Sequence, residues 1–301
     1  MNTIRTAAAA VLGARHARIA RNGQDAVASW TAGEVELRGN GVVGATRDAA
    51  FAGVDAAFVG ATRAAALAGA TRAAAFAGAR HADARRDCAA VIVVCDGCSS
   101  GTSSEVGARL GTSLFARAMG HRIHTGASIL ERDTWEAARR DVVESLADLL
   151  ERMHGDRLDA IRDTFLFTIV AAAMTLDGAA VWALGDGVYS FGDATRELGP
   201  FADNEPPYLA YDLLGDAHGA HFATASTDTI IIGTDGATEL TGGIERFATS
   251  RFLDHPDALR RELAVLARPH ERIDWDERRI IRAPAALQDD CAIGVLRREA
   301  P

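Results

Sequence analysis

The alternation of apolar and polar positions predicts short, deeply buried strands interrupted by two long amphipathic helices. Val91-Ile92-Val93-Val94 is an unbroken β-branched run, the pattern of a strand covered on both faces, and it ends in Cys95-Asp96-Gly97. A carboxylate is thus presented at a strand tip. Ile230-Ile231-Ile232-Gly233-Thr234 repeats the arrangement and runs into Asp235-Gly236. Asp289-Asp290 immediately precedes a third apolar run beginning at Cys291, of which Ile293 to Leu296 closes the sheet. Ala26 to Leu37 alternates through Val27, Trp30, Val35 and Leu37, predicting one strand that pairs antiparallel with Ala89 to Cys95. Thr164 to Met174 and Ala179 to Leu184 predict a hairpin turned at Asp177-Gly178. Gly185-Asp186-Gly187 then opens a short strand, Val188 to Phe191.

The helical period appears after the Asp96 loop. Ser103-Ser104-Glu105 reads as a helix start, with Val106, Leu110, Leu114 and Ala118 as its apolar stripe and Gly107 and Gly111 permitting close packing on a sheet. Asp133-Thr134-Trp135-Glu136 has capping-box spacing and opens a second helix, whose stripe is Trp135, Ala138, Val142, Leu146, Leu149 and Met153, stopping at Gly155. Glu245 to Ala267 predicts frayed helix, and Phe201 to Ala220 irregular chain. Two helices in succession, not alternating with strands, point away from a doubly wound fold.

Composition narrows the classes. The chain has 301 residues, 48% of them hydrophobic, enough for one large domain with a full core. All 32 basic residues are Arg, and the net charge of −9 opposes a nucleic-acid footprint. The apolar part of the start, Ala7 to Leu12, is too short for a secretory core, and no run approaches the ~18 to 20 apolar residues of a membrane span, so a cytoplasmic location is expected. Ala14 to Asp25 reads as a polar, turn-rich lead-in. Between 40 and 86 lies a repeat insertion: Gly44-Ala-Thr-Arg47 recurs at Gly60 to Arg63 and Gly69 to Arg72, then decays at Gly78 to His81. The later copies are nine residues apart, far below the period of stacking repeats. An expanded surface loop, partly helical through its Ala content, is expected there. A docking arm presenting Arg63 and Arg72 is the functional alternative. Cys95 and Cys98 form a C-x-x-C, but no second pair supplies zinc ligands, and small buried thiols are the simpler reading.

Acids held at strand ends suit a hard cation, because Mg²⁺ or Mn²⁺ takes oxygen ligands on a rigid frame. Each alone is ambiguous: Asp-Gly at a strand end is a common turn cap, and Gly-Asp-Gly is an ordinary hairpin connector. The ordered set is more specific. Gly13-x-x-His16, Gln24-Asp25-Ala26, Asp96-Gly97-x-Ser99, Ser104-Glu105-Val106-Gly107-Ala108, Gly185-Asp186-Gly187, Thr234-Asp235-Gly236 and Asp289-Asp290 together resemble the bacterial branch of the metal-dependent serine/threonine protein phosphatases of type 2C. The resemblance spans nearly the whole chain apart from the insertion.

That resemblance implies an α+β fold, a four-layer αββα sandwich of two central antiparallel sheets with a binuclear Mn²⁺ or Mg²⁺ site at one end. By position, Asp96 would bridge both ions, the Gly97 carbonyl would bind one, Asp235 and Asp289 would complete the first, and Asp25 would hold metal-bound waters. Asp186 and Glu239 stand where the family places acids for a third, weaker ion. The expected reaction is in-line attack on phosphorus by a metal-activated water, with phosphorylated protein as substrate and a bacterial Ser/Thr kinase as the opposing activity. There are departures. Gln24 replaces a frequent Glu, Cys98 a His or Met, and Glu239 a shorter Asp. The family's phosphate-binding Arg is Ala20 here, leaving Arg21 or Arg18 to substitute. His16 is read as a structural residue of the lead-in. A catalytically weak relative serving as a binding module, and a Cys95/Cys98 redox protein, are the alternatives.

Overall fold

The structure is a computed structural model that describes residues 3–32, 34–38, 88–255 and 257–299. The repeat insertion at 40–86, with Arg63 and Arg72, lies outside the described residues. Strands in chain order are β1 (Thr3–Val11), β2 (Ala26–Thr31), β3 (Glu34–Arg38), β4 (Ala89–Gly97), β5 (Phe167–Thr175), β6 (Gly178–Leu184), β7 (Gly187–Phe191), β8 (Ala194–Leu198), β9 (His221–Ala225), β10 (Thr229–Gly233), β11 (His270–Asp274), β12 (Arg279–Ala283) and β13 (Cys291–Glu299). The α-helices are α1 (Ala14–Arg18), α2 (Ser104–His124), α3 (Arg132–Leu150), α4 (Arg157–Ala160), α5 (Ser250–Asp254) and α6 (Ala258–Leu266).

One antiparallel sheet runs β1-β13-β10-β7-β8, the other β3-β2-β4-β5-β6-β9, and β11 and β12 form a separate hairpin. Alternation along the strands shows how the layers stack. In β4, Ile92 and Val94 join Ile230 and Ile232 of β10 and Ala8 and Ala10 of β1 in the core between the sheets. Val91, Val93 and Cys95 point the other way, into a core shared with α2 and α3, while Ile231 and Ile293 face α5 and α6. This double coverage is why both runs are continuously apolar. The result is a four-layer αββα sandwich, the α+β architecture expected.

Several local expectations are corrected. Ala26 to Leu37 is two strands, not one, folded back so that Thr31 opposes Glu34, although β2 does pair with β4. The Ala-rich start is strand β1, paired along its length with β13. β13 therefore lies inside its sheet rather than at the margin. The lead-in carries the short helix α1, and β5 starts only after a π-helical turn at Ile161–Phe165. On α2 the most deeply buried positions are the small residues Gly107, Ala108, Gly111 and Ala116 with Phe115 and Met119; the expected Leu110, Leu114 and Ala118 pack against the core at its edge, whereas Val106 is exposed. Close approach decides this: a Cβ on Gly107 would stand 1.9 Å from the Thr164 carbonyl oxygen, and one on Gly111 2.4 Å from Phe167 Cε2. The N-cap of α3 is Glu131, with no side-chain cap, and Leu150 replaces the exposed Leu149 and Met153 in its stripe.

Candidate functional site

Strand tips and loops converge at one end of the sandwich. β4 delivers Asp96, the residue after β10 is Thr234, the loop before β13 carries Asp289 and Asp290, and the chain from α1 to β2 carries Asp25. The turn between β6 and β7 adds Asp186, where Gly185 at φ +97° lies 2.6 Å, at its would-be Cβ, from the Thr168 side chain. Only a glycine fits that approach.

Asp25 and Asp96 form the centre. Asp25 is 1% exposed; Thr234 Oγ1 donates to its Oδ2 at 2.6 Å, and its other oxygen, Oδ1, is buried with no donor. The Asp25 and Asp96 carboxyls stand within hydrogen-bonding reach of each other. Two ionised carboxylates are both acceptors, so only a proton or a cation can satisfy that contact. Burial pushes both acids well above the usual carboxylate range, and the charges of Asp290 and Asp235 on Asp25, and of Asp25, Asp235 and Asp186 on Asp96, add to it. Asp186 is raised by burial, and its Oδ1 is a second buried oxygen without a donor. Asp235 keeps solvent access by area, yet the protein floor beneath it and its neighbours Asp186 and Asp289 push it up to about 6. The Gly236 N–H, donated to Asp235 Oδ1 at 2.7 Å, opposes that shift.

Among the described residues, no three His, Cys, Asp or Glu side chains are already drawn together as a ligand cage. The fit to a divalent cation rests instead on charge. Two buried carboxylate oxygens lack donors inside a group of mutually repelling acids, which at neutral pH needs either protons or cations. Gly97 ends β4 beside Asp96, and its would-be Cβ stands 2.9 Å from the Ser104 backbone, so the start of α2 packs too closely here for any larger residue.

The adjacent acids of the final motif have different surroundings. Asp290 is 2% exposed and accepts from the Gly13 N–H at 2.8 Å and the Gln24 N–H at 2.6 Å. His16 Nδ1 lies 2.9 Å from Asp290 Oδ2, out of line for a hydrogen bond, and is buried as the structural reading of His16 implied. Asp290 thus clamps the loop that positions Asp25. Asp289 is partly open, faces Asp235, and has Arg15 Nη1 at 3.6 Å. Asp290→Ala strands two buried N–H groups and is expected to lower stability by about 2 to 5 kcal/mol in denaturant unfolding, whereas Asp289→Ala removes only the partly buried bond from the Asp290 N–H at 2.9 Å and should cost about 1 kcal/mol.

Glu239 Oε2 accepts from the Gln288 and Asp289 N–H groups at 2.7 and 3.2 Å, which fixes the loop carrying Asp289. Gln24 Nε2 donates to the Cys98 carbonyl at 3.0 Å and Ser104 Oγ at 2.7 Å, joining the Asp25 loop to the Asp96 loop. Arg21 Nη2 donates to the carbonyls of Ser99 and Gly101, so it too holds the Asp96 loop. Arg18 is exposed. Cys95 is buried in the α2 layer and burial raises its thiol, while Cys98 sits half-buried at the rim with Sγ 3.1 Å from Ser100 Oγ. The two sulfurs therefore occupy different surroundings. Sequence reasoning did not find the supports Thr234, Asp290 and Gln24, nor Tyr208, whose hydroxyl is hydrogen-bonded to the Cys98 side chain. Asp290 carried a signal, being an acid before a strand. Tyr208 carried none.

A family model described as protein phosphatase 2C matches residues 74–270. No curated protein sequence matches the chain. Among solved structures, the catalytic domain of the serine/threonine protein phosphatase PstP in complex with two manganese ions is similar at a TM-score of 0.50 and 11% identity, over 100% of both chains. Mycobacterium tuberculosis PstP/Ppp is similar at 0.47 and 12% identity, over 99% of each. Staphylococcus aureus Stp1 is similar at 0.43 and 12% identity, over 71% of this chain and 85% of that one.

Proposed function

Because the chain belongs to the protein phosphatase 2C family, we propose that it is a protein serine/threonine phosphatase that hydrolyses phosphoserine and phosphothreonine with divalent cations, Mn²⁺ or Mg²⁺. Asp25, Asp96, the Gly97 carbonyl, Asp235 and Asp289 would hold them, and Asp186 and Glu239 would hold a further, weaker ion. The observation that carries this reading is the buried Asp25–Asp96 contact, which has no internal donor and is disfavoured as two anions.

When bound, such cations acidify water and neutralise charge on phosphoryl oxygens. The chain's own groups set the frame for that chemistry. Thr234 Oγ1 holds Asp25 Oδ2 and leaves Oδ1 buried without a donor. The Gly236 N–H orients Asp235, and Glu239 orients the backbone before Asp289. Gln24 and Arg21 hold the loop after Asp96 from the Asp25 side. Arg21 uses only Nη2 for this, leaving Nη1 and Nε to meet a phosphoryl oxygen, and Arg18 is the second candidate for that contact. The substrates would be the products of a Ser/Thr kinase.

The test is phosphate release from a phosphothreonine peptide by purified protein with and without Mn²⁺. Release that requires the ion is expected. No release at any Mn²⁺ concentration, from folded protein that binds the ion, would leave a metal-bearing binding module.

A further inference from the structure

The segment between β8 and β9 has no role in the reading above, yet it packs on the acid cluster. The Pro207 carbonyl oxygen lies 3.1 Å from the would-be Cβ of Gly185, beside Asp186. The next residue, Tyr208, is half-buried, is hydrogen-bonded to Cys98 two residues beyond Asp96, and feels the charge of both Asp96 and Asp186. Its ring meets Tyr211 edge-on, with centroids 5.6 Å apart at 82°, and Tyr211 in turn meets His218 at 5.6 Å. Aromatic rings therefore lead from the acids out across the surface.

This stepped surface is negatively charged. The exposed carboxylates Glu205 and Asp216 act on the Tyr211 hydroxyl. Asp216 has His218 at 3.5 Å, and Glu205 has no ion-pair partner among the described residues. Of the arginines that touch the segment, Arg139 makes a bidentate contact with Asp212, and Arg157 donates to the Leu213 carbonyl. Rings bordered by Glu205, which has no ion-pair partner among the described residues, attract a cation, and the chain's net charge of −9 steers one in the same direction. A phosphate entering the cluster can thus be accompanied by a positive neighbour.

Resting on the phosphatase reading, we propose that Tyr208, Tyr211 and Glu205 form a substrate-selecting surface that takes an Arg or Lys side chain flanking the phosphoresidue. The 5.6 Å step between the two ring centroids is about two residues of extended chain, so positions two and three residues from the phosphoresidue are the ones to vary.

Labelled peptides carrying a non-hydrolysable phosphonate in place of phosphothreonine, with Arg, Ala or Glu at those positions on both sides, test this by fluorescence anisotropy on Mn²⁺-loaded protein. The Arg peptide is expected to bind about two- to fivefold tighter than the Ala peptide, and the Glu peptide weakest. Tyr211→Leu and Glu205→Gln should each bring the Arg-to-Ala ratio towards one, while Tyr211→Phe, which keeps the ring, preserves it. Wild-type hydrolysis of p-nitrophenyl phosphate, which has no flanking residues, is followed in parallel. Hydrolysis together with equal affinity for the three peptides overturns this inference alone. Neither hydrolysis nor peptide binding overturns the phosphatase reading along with it.

Discussion

Asp96→Ala is expected to lower Mn²⁺-dependent phosphate release by at least about a thousandfold, because loss of cation charge at the phosphoryl group costs several kcal/mol and each 1.4 kcal/mol is tenfold. Asp96 is the acid whose loss should matter most, since the charges of Asp25, Asp235 and Asp186 all act on it. Asp96→Asn, which keeps the shape and removes the charge, should lose nearly as much. A folding defect would produce the same loss, and stability separates the two. Removing one of several mutually repelling carboxylates relieves strain in the metal-free protein, so the melting temperature of either variant should be equal to or above wild type. An active Asp96→Ala protein would remove the acid cluster from the mechanism.

Chelation and pH should act together on stability. The folded-state pKa values of Asp25, Asp96, Asp186 and Asp235 are all raised, so the native state holds more protons than the unfolded chain. A raised acid contributes stability that is fully present below its unfolded pKa and is lost as pH rises through the folded value. For Asp235 the window runs from about 4 in the unfolded chain to about 6. Asp25 and Asp96, the more deeply buried, carry the loss further up. Metal-free protein should therefore melt lower at pH 8 than at pH 5. Mn²⁺ at about a hundred times its dissociation constant should restore about 2.7 kcal/mol at pH 8, about 4 to 5 °C in melting temperature for a chain of this length, and less at pH 5, where protons compete. A melting temperature indifferent to Mn²⁺ at both pH values would contradict cation binding at this cluster.

Much of this arrangement was legible because burial on both faces leaves a plain mark on a strand. Val91–Val94 and Ile230–Ile232 read as strands covered on both faces, the two successive helices turned that reading towards a layered sandwich, and the acids at the strand ends followed by position. The supports were less legible. Asp290 resembles Asp289 in sequence, and only the folded loop shows that the former spends its oxygens on Gly13 and Gln24. The stripe of α2 was legible only in part: Leu110, Leu114 and Ala118 do pack against the core and Gly107 and Gly111 do make the close approach expected of them, but Val106 is exposed, and the deepest positions go to Gly and Ala because Thr164 and Phe167 come too near for larger residues. Arg21 illustrates the same limit: its charge suggested phosphate, whereas its Nη2 is bonded to loop carbonyls. Tyr208 lies in an irregular segment whose course depends on what it packs against, and no period announces such a residue.

The most direct test is a calorimetric titration of Mn²⁺ into wild-type and Asp96→Ala protein at pH 7.5. The account predicts uptake of at least two ions by the wild type, and loss of the tighter binding in the variant. Equal uptake by both proteins, or none by either, would contradict the assignment of this acid cluster as the metal centre.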